Sequence, residues 1–363
     1  MKIAFMHFWT LRLRRGVETM VLSLANELAK QGHDVSILTA RQTQPPMVEP
    51  SARVHLKQFP TFRYYEFVTI APLYARDLAR SRYDAVVVFF ADFGEAAALQ
   101  FAAPWARPRL FLYLTFPFEA APHRFQAYRK AGWDRRATRI LADAEYTAKS
   151  GEEFFHRPID VLPSGTDPDR FKPDEERRVS TRVALGLSDD DIVLLNVAAL
   201  EEQKGVWRMI ETLPHVRAQC PNVRYLILGE GGQRKALERR AEELNLQESV
   251  IFAGTTNDLP RFYNAADIFV MLPDAEAGSV ACLEAMASGL PVVVSNSGGF
   301  GEVVELNCGR RVDVHDTKMI ASAVVELARV RVQRHQMGEA GRRIVLEKFS
   351  WAQIGVKLTR LVG

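Results

Sequence analysis

The chain has 363 residues, 47% hydrophobic and 25% charged, which suits two globular domains and excludes a disordered or fibrous protein. No apolar run approaches the roughly 20 residues that span a bilayer. The three scattered cysteines, Cys220, Cys282 and Cys308, show no metal-ligand spacing and no disulfide framework, as expected of a reducing, cytoplasmic setting. Net charge is +3 but uneven: residues 1–165 carry 22 Lys+Arg against 16 Asp+Glu, and the remainder 25 against 28.

The opening MKIAFMHFW is too soon interrupted by arginines for a secretory signal, and residues 2–8 read as a strand. Val17, Met20, Val21, Leu24 and Leu28 recur at helical spacing over 17–31, Gly32 ends the helix, and 35–38 reads as a second strand. This βαβ opening predicts a parallel sheet. Further strands are predicted at 85–90, 110–114, 139–142 and 159–162, with helices over about 67–79 and 146–155. The turn-rich run PSGTDPDRFKP, Pro163 to Pro173, reads as a domain boundary. A second series follows: a helix, strand 192–197, helix 205–218, strand 224–228, the charged helix 233–244, strand 250–252, a helix from Asn257, and strand 268–271. Two helices are expected over 316–331 and 335–348. Phe349-Ser350-Trp351 then makes a break before a last helix at 352–361.

The densest chemistry lies in DAEAGSVACLEAMASGLPVVVSNSGG, Asp274 to Gly299. Glu276 and Glu284 are separated by seven residues. Gly278 and Ser279 open a short apolar helix, 280–288, which Gly289 and Pro291 end before a buried strand at 292–294. A loop leading into a helix N-terminus aims N–H groups and a partial positive charge at an anion. Glu284 is the one charged residue between Ala277 and Gly301. It is either costly to bury without hydrogen-bond donors, which ligand hydroxyls could supply, or it sits on the helix's solvent face. Lys204 and Gly205 stand in a strand-to-helix loop, suited to a phosphate or simply solvated. The Gly229-Glu230-Gly231-Gly232 turn after a strand is weaker evidence of the same kind. Cys282 reads as core. His7 and His33 read as turn or strand-end histidines.

The two glutamates at this spacing, EAMASG and the following strand together resemble the donor-site signature of retaining glycosyltransferase family 4, which has the GT-B fold. The resemblance covers nearly the whole chain, strongly in its C-terminal half and loosely in its N-terminal half. It implies two doubly wound Rossmann-like α/β domains facing across a cleft. Residues 1–165 would be the acceptor-side domain and 166–349 the nucleotide-sugar-binding domain, with the helix of about 350–363 packing back on the first. It implies transfer of a sugar, with retention and without a metal, from a UDP- or GDP-linked donor to a glycan, lipid-linked or small-molecule acceptor. Lys204 would meet the diphosphate, with N–H groups near Gly278, Ser279, Val280 and Gly16. Glu276 would hold hydroxyls of the donor sugar and Glu284 the ribose. Gly229 would lie near the phosphates, and backbone around Thr255 would meet the nucleobase.

Three positions depart from the family pattern. Arg15 stands where the first of two adjacent glycines is usual, leaving Gly16. Ala199 replaces an arginine that would share the diphosphate with Lys204, a loss of about 1–3 kcal/mol for a charge-assisted contact. Thr115 replaces a histidine beside the donor sugar; it keeps hydrogen bonding but not charge, and His123 lies eight residues on. These departures leave open a non-catalytic GT-B partner of an active transferase, and the fold leaves open a phosphorylase or sugar-nucleotide epimerase. The basic runs Arg12, Arg14, Arg15 and Arg124, Arg129, Lys130, Arg135, Arg136, Arg139 read as solvated faces or as a surface for anionic lipid at the inner face of the membrane. They lack the interleaved aromatics of a nucleic-acid site.

Overall fold

The computed structural model describes all residues except 13–15, 44, 45, 47, 62–65, 90–97, 99–107 and 131, and describes only the backbone of 66–69. The chain divides into two compact units, Met1–Ser164 with Trp351–Gly363, and Gly165–Ser350.

Among the described residues of the first unit seven strands make one sheet. They are β1 (Lys2–Met6), β2 (Asp34–Ala40), β3 (Val54–Phe59), β4 (Ala85–Phe89), β5 (Arg109–Leu114), β6 (Arg139–Ala142) and β7 (Asp160–Val161). Their order is β3-β2-β1-β4-β5-β6-β7, and every pairing is parallel. Parallel strands covered on both faces need apolar residues in both alternating sets, and the sequence supplies them. Ile3 and Phe5 lie in register with Val35 and Ile37 on one side and Ala85 and Val87 on the other. They pack with Met20, Leu24 and Leu28 of helix Gly16–Lys30 and with Trp351, Ile354, Leu358 and Val362 of the last helix, Trp351–Val362. The intervening residues Ala4, Met6, Val86, Val88 and Leu112 pack on the opposite face with Tyr74, Phe125 and Trp133.

The second unit has six strands: β8 (Ile192–Val197), β9 (Val223–Leu228), β10 (Val250–Gly254), β11 (Ile268–Met271), β12 (Val292–Ser295) and β13 (Gly309–Val312). They run parallel in the order β10-β9-β8-β11-β12-β13. One face, through Leu194, Ile227, Val270 and Val293, packs on helices Val206–Arg217 and Thr317–Arg329. On the other side Tyr263 of helix Leu259–Ala265 lies against Phe269, with ring centroids 6.2 Å apart.

Differences from the sequence reading fall at edges and ends. Edge strands β3 and β13 carry polar residues such as His55, Lys57, Arg310 and Arg311 and were not expected. The first strand ends at Met6, leaving His7 in the turn. Val330, at φ −113° and ψ 89°, separates helix Thr317–Arg329 from helix Arg331–Ile344, so 332–334, expected as connector, is helical. That helix widens into a π turn over Val345–Phe349, extended Ser350 breaks it, and Trp351, expected in the break, already opens the last helix.

Leu358 is fully buried between helix and sheet. Leu358→Ala should lower the first unit's stability to urea by about 2–5 kcal/mol, and a loss below about 1 kcal/mol would contradict this packing.

Candidate functional site

In the second unit the chain lays β9 and β10 on one side of β8 and then β11, β12 and β13 on the other. The loops leaving β8 and β11 therefore diverge at the carboxyl ends of adjacent strands, the place where open α/β sheets bind ligands. The β8 loop ends in a 3-10 turn, Glu202–Lys204, followed by Gly205 at φ 65°. A side chain at 205 would put its Cβ 1.8 Å from the Leu272 carbonyl oxygen, so only glycine lets the two loops touch backbone to backbone. That contact brings Lys204 to the β11 loop, where its Nζ donates to Glu276 Oε2 at 2.7 Å. The pair is largely withdrawn from water, with 27% of the lysine and 17% of the glutamate side chain exposed.

The Glu276 loop is held from both sides. Asp274 N donates to Gln203 O, Ser297 Oγ donates to Asp274 O at 2.6 Å, and Gly299 N donates to Glu276 O at 2.7 Å. Gly298, at φ 70°, comes so close that a Cβ there would lie 2.2 Å from Glu276 O. Beyond Gly278, Ser279 caps helix Val280–Ala287 by accepting from Cys282 N at 3.2 Å. The helix thus presents its N-terminal end beside the Lys204–Glu276 pair. Cys282 is buried, and burial raises its thiol pKa, so it stays protonated core, as read from the sequence.

Glu284 is buried, 6% exposed, which rules out the solvent-face alternative. Tyr263 Oη donates to Glu284 Oε2 at 2.8 Å. Burial pushes the Glu284 carboxyl up to about 7, opposed by the Tyr263 hydrogen bond and the charge of Arg170. Burial and the neighbouring carboxylate raise the Tyr263 phenol well above its usual range, so it remains the donor. Tyr263 is fixed edge-on against Phe171, at 5.6 Å between centroids.

The other expected residues are dispersed. Gly229 packs on the protein's own chain, with a Cβ there 1.8 Å from Ala198 O, and Thr255 is exposed after β10. In the first unit Gly16 opens helix Gly16–Lys30, Thr115 follows β5, and His123 is exposed on helix Pro122–Lys130. Thr115 Oγ1 is buried without a hydrogen-bond partner. His7 is buried with Nδ1 3.0 Å from Thr10 Oγ1; burial and the Arg124 charge push it down to about 3, so it is neutral. Arg15 lies outside the described residues. Among the described residues no three His, Cys, Asp or Glu side chains form a group able to hold a metal ion. Sequence reading missed Tyr263 and Arg208, the latter a cation on a helix whose neighbours Val206, Met209 and Ile210 are buried and apolar.

The family model described as Glycosyltransferase Family 4 matches residues 14–170, and that described as Glycosyl transferases group 1 matches 178–344. A GDP-mannose-dependent alpha-(1-6)-phosphatidylinositol monomannoside mannosyltransferase of Mycolicibacterium smegmatis is 32% identical over 290 residues, 75% of each chain. The monoacylated-substrate counterpart of Corynebacterium glutamicum is 32% identical over 253 residues, 66% of this chain and 65% of that one. Among solved structures, Anabaena HepE in complex with UDP and glucose superposes with a TM-score of 0.83 at 19% identity, covering 100% of this chain and 99% of that one. Sucrose-phosphate synthase of Thermosynechococcus elongatus gives 0.81 at 20%, covering 99% and 98%. These likenesses establish the GT-B fold: two Rossmann-like units, each built on a parallel sheet.

The Glu284 shift carries a sign. A carboxyl whose folded pKa is raised favours the native state fully below its ordinary value, 4.5, and loses that contribution as pH rises through about 7. Glu284→Gln removes the titration while keeping an acceptor for Tyr263. Its stability relative to the parent, measured by urea unfolding without ligand, should therefore grow by about 3 kcal/mol between acid and mildly alkaline pH. A pH-independent difference would show that Glu284 is not a buried, raised carboxyl.

Proposed function

The chain belongs to glycosyltransferase family 4, the glycosyl transferases group 1, and on that premise we propose that it moves a sugar from a nucleoside diphosphate sugar to an acceptor hydroxyl with retention at the anomeric carbon. The main support is the 2.7 Å Lys204–Glu276 pair at the N-terminal end of helix Val280–Ala287, with buried Glu284 inside that helix. A diphosphate at the helix end takes over Lys204, which neutralises charge building on the leaving group. Glu276, released, accepts hydrogen bonds from the donor sugar. Ribose hydroxyls donate to Glu284 and favour its ionised form, so donor binding releases a proton near neutral pH. Lys204 and the helix N–H groups supply the countercharge themselves, and turnover should persist in a chelator.

The donor to try first is GDP-mannose, which the two mannosyltransferase relatives use by name, with UDP-sugars beside it. The first unit is assigned the acceptor, and a lipid-linked one, for two reasons. Those relatives act on phosphatidylinositol monomannosides. Also, the run from Pro122 to Arg139 exposes Arg129, Lys130, Arg135, Arg136 and Arg139 together, and among the described residues Lys130, Arg135 and Arg136 have no carboxylate at salt-bridge distance. No helix among the described residues is long and apolar enough to cross a membrane, so contact with lipid would be peripheral.

Lys204→Ala and Glu276→Ala should each lower kcat/KM by about 10²–10³-fold while melting normally. Glu276→Gln, which frees Lys204, should bind the bare nucleoside diphosphate more tightly than the parent even as transfer falls. Near-normal turnover in both alanine variants would refute the assignment. On the acceptor side, binding to vesicles containing phosphatidylinositol should weaken steeply with salt. Replacing Lys130, Arg135 and Arg136 by alanine should cost about 3 kcal/mol of that binding. Equal binding to neutral vesicles would remove the lipid surface.

A further inference from the structure

We propose that Arg208 is a positioning residue for the transfer reaction: it spans the turn that carries Glu276 and sets where that carboxylate stands relative to Lys204. Arg208 has this role on the premise that Glu276 holds the donor sugar.

Arg208 lies in the first turn of helix Val206–Arg217, four residues after Lys204, and its side chain is 5% exposed. Its Nη1 donates to Leu272 O at 2.9 Å and its Nη2 to the Asp274 carboxylate. One planar guanidinium thus holds both ends of the Leu272-Pro273-Asp274 turn, by which β11 hands the chain to Glu276 two residues on. The helix that carries it is anchored in turn: Arg208 N donates to Gly205 O at 3.1 Å, and Thr212 Oγ1 donates to Arg208 O at 2.7 Å. Lys204 and the brace therefore belong to one short rigid piece, and Glu276 to the piece it grips.

Core filling does not account for this residue. Its Nε is buried without a partner, and burying a guanidinium is unfavourable unless its donors are met. Methionine would occupy the same space with no polar atom to satisfy. What the guanidinium adds is direction: two donors in a fixed fork aimed at two points of one turn. Gly298 and Gly299 press on Glu276 from the opposite side, so the turn is fixed between a fork and a backbone wall.

The test uses the full chain with Arg208→Met, Arg208→Lys and Asp274→Ala, and Glu276→Ala beside them. Transfer kinetics, nucleoside diphosphate affinity by calorimetry and amide hydrogen exchange over residues 274–278 are measured. Arg208→Met should lose about 10–100-fold in kcat, the cost of a displaced reacting group, with diphosphate affinity kept or raised, because a loosened Glu276 holds Lys204 less firmly. Exchange over 274–278 should quicken, and Arg208→Lys, which keeps one donor group, should recover part of both. Asp274→Ala alters an exposed side chain and cuts only one arm of the fork; it should show the same pattern more weakly, and it decides the matter if Arg208→Met fails to fold. Turnover and exchange like the parent's in these variants, or diphosphate affinity falling in step with kcat, would overturn the role of Arg208. If Glu276→Ala keeps its turnover, the proposed function has failed instead, and the exchange measurement still decides whether Arg208 braces the turn.

Discussion

Two loops that leave neighbouring strands in diverging directions are pressed together where the Gly205 backbone meets the Leu272 carbonyl. The meeting of Lys204 with Glu276 follows from that contact. A parallel sheet whose order reverses between β8 and β11 opens a crevice of itself, but it does not bring side chains from the two loops within bonding distance. The missing Cβ at 205 does so, and the positive φ there turns the chain straight into the next helix. Lys204 and Glu276, 72 residues apart in sequence, become a 2.7 Å pair as a consequence.

That pair shapes the electrostatics of the site. Lys204 is already paired with Glu276, and burial raises the Glu284 carboxyl to about 7. A ligand bearing a diphosphate must therefore compete for the lysine instead of meeting a bare cation. The same competition has a use in transfer chemistry. On the proposed function, the carboxylate displaced from the lysine would be left desolvated and in need of donors, which the hydroxyls of a sugar attached to that diphosphate would supply. A diphosphate without its sugar gains the lysine but strands the glutamate. With the roles proposed for them, the two residues together would favour the complete donor over its leaving group, a discrimination that neither would provide alone.

How much of this was legible in the sequence depended on where each signal is encoded. Central strands such as Ala85–Phe89 and Val292–Ser295 showed as apolar runs because both their faces are buried, whereas β3 and β13 did not, because an edge strand tolerates lysine and arginine. Glu284 stood out as a lone charge, and its burial matches one of the two alternatives read there. Its partner Tyr263 was hidden, being an aromatic residue in an apolar helix 21 positions earlier with nothing local to mark its hydroxyl. Lys204 and Glu276 were each singled out, but for separate tasks. Their mutual pairing is a tertiary fact set by Gly205, and spacing along the chain does not report it. Gly229, read as a phosphate turn, is already explained by its approach to the Ala198 carbonyl.

The helix that carries Glu284 shows why so few residues suffice. Its C-terminal end is closed off: Arg342 donates to Ala287 O and also to Phe171 O at 3.0 Å and Pro168 O at 3.2 Å, and Gly338 lets helix Arg331–Ile344 press against Gly289 O. A cation at that end matches the helix dipole and leaves the last carbonyls satisfied. Its middle is fixed by Tyr263, itself wedged between Phe171 and Phe269. Its entry is fixed by the Ser279 cap. With both flanks and the far end committed to protein partners, this eight-residue helix is pinned in place, and what it turns toward the crevice is its N-terminal end beside the Lys204–Glu276 pair. The ion pair is the contact that an arriving anion can exchange at little cost to the fold. On the proposed function, recognition there would work by substitution within a rigid frame, so that one lysine, without the arginine that the family resemblance leads one to expect at Ala199, would suffice for a diphosphate.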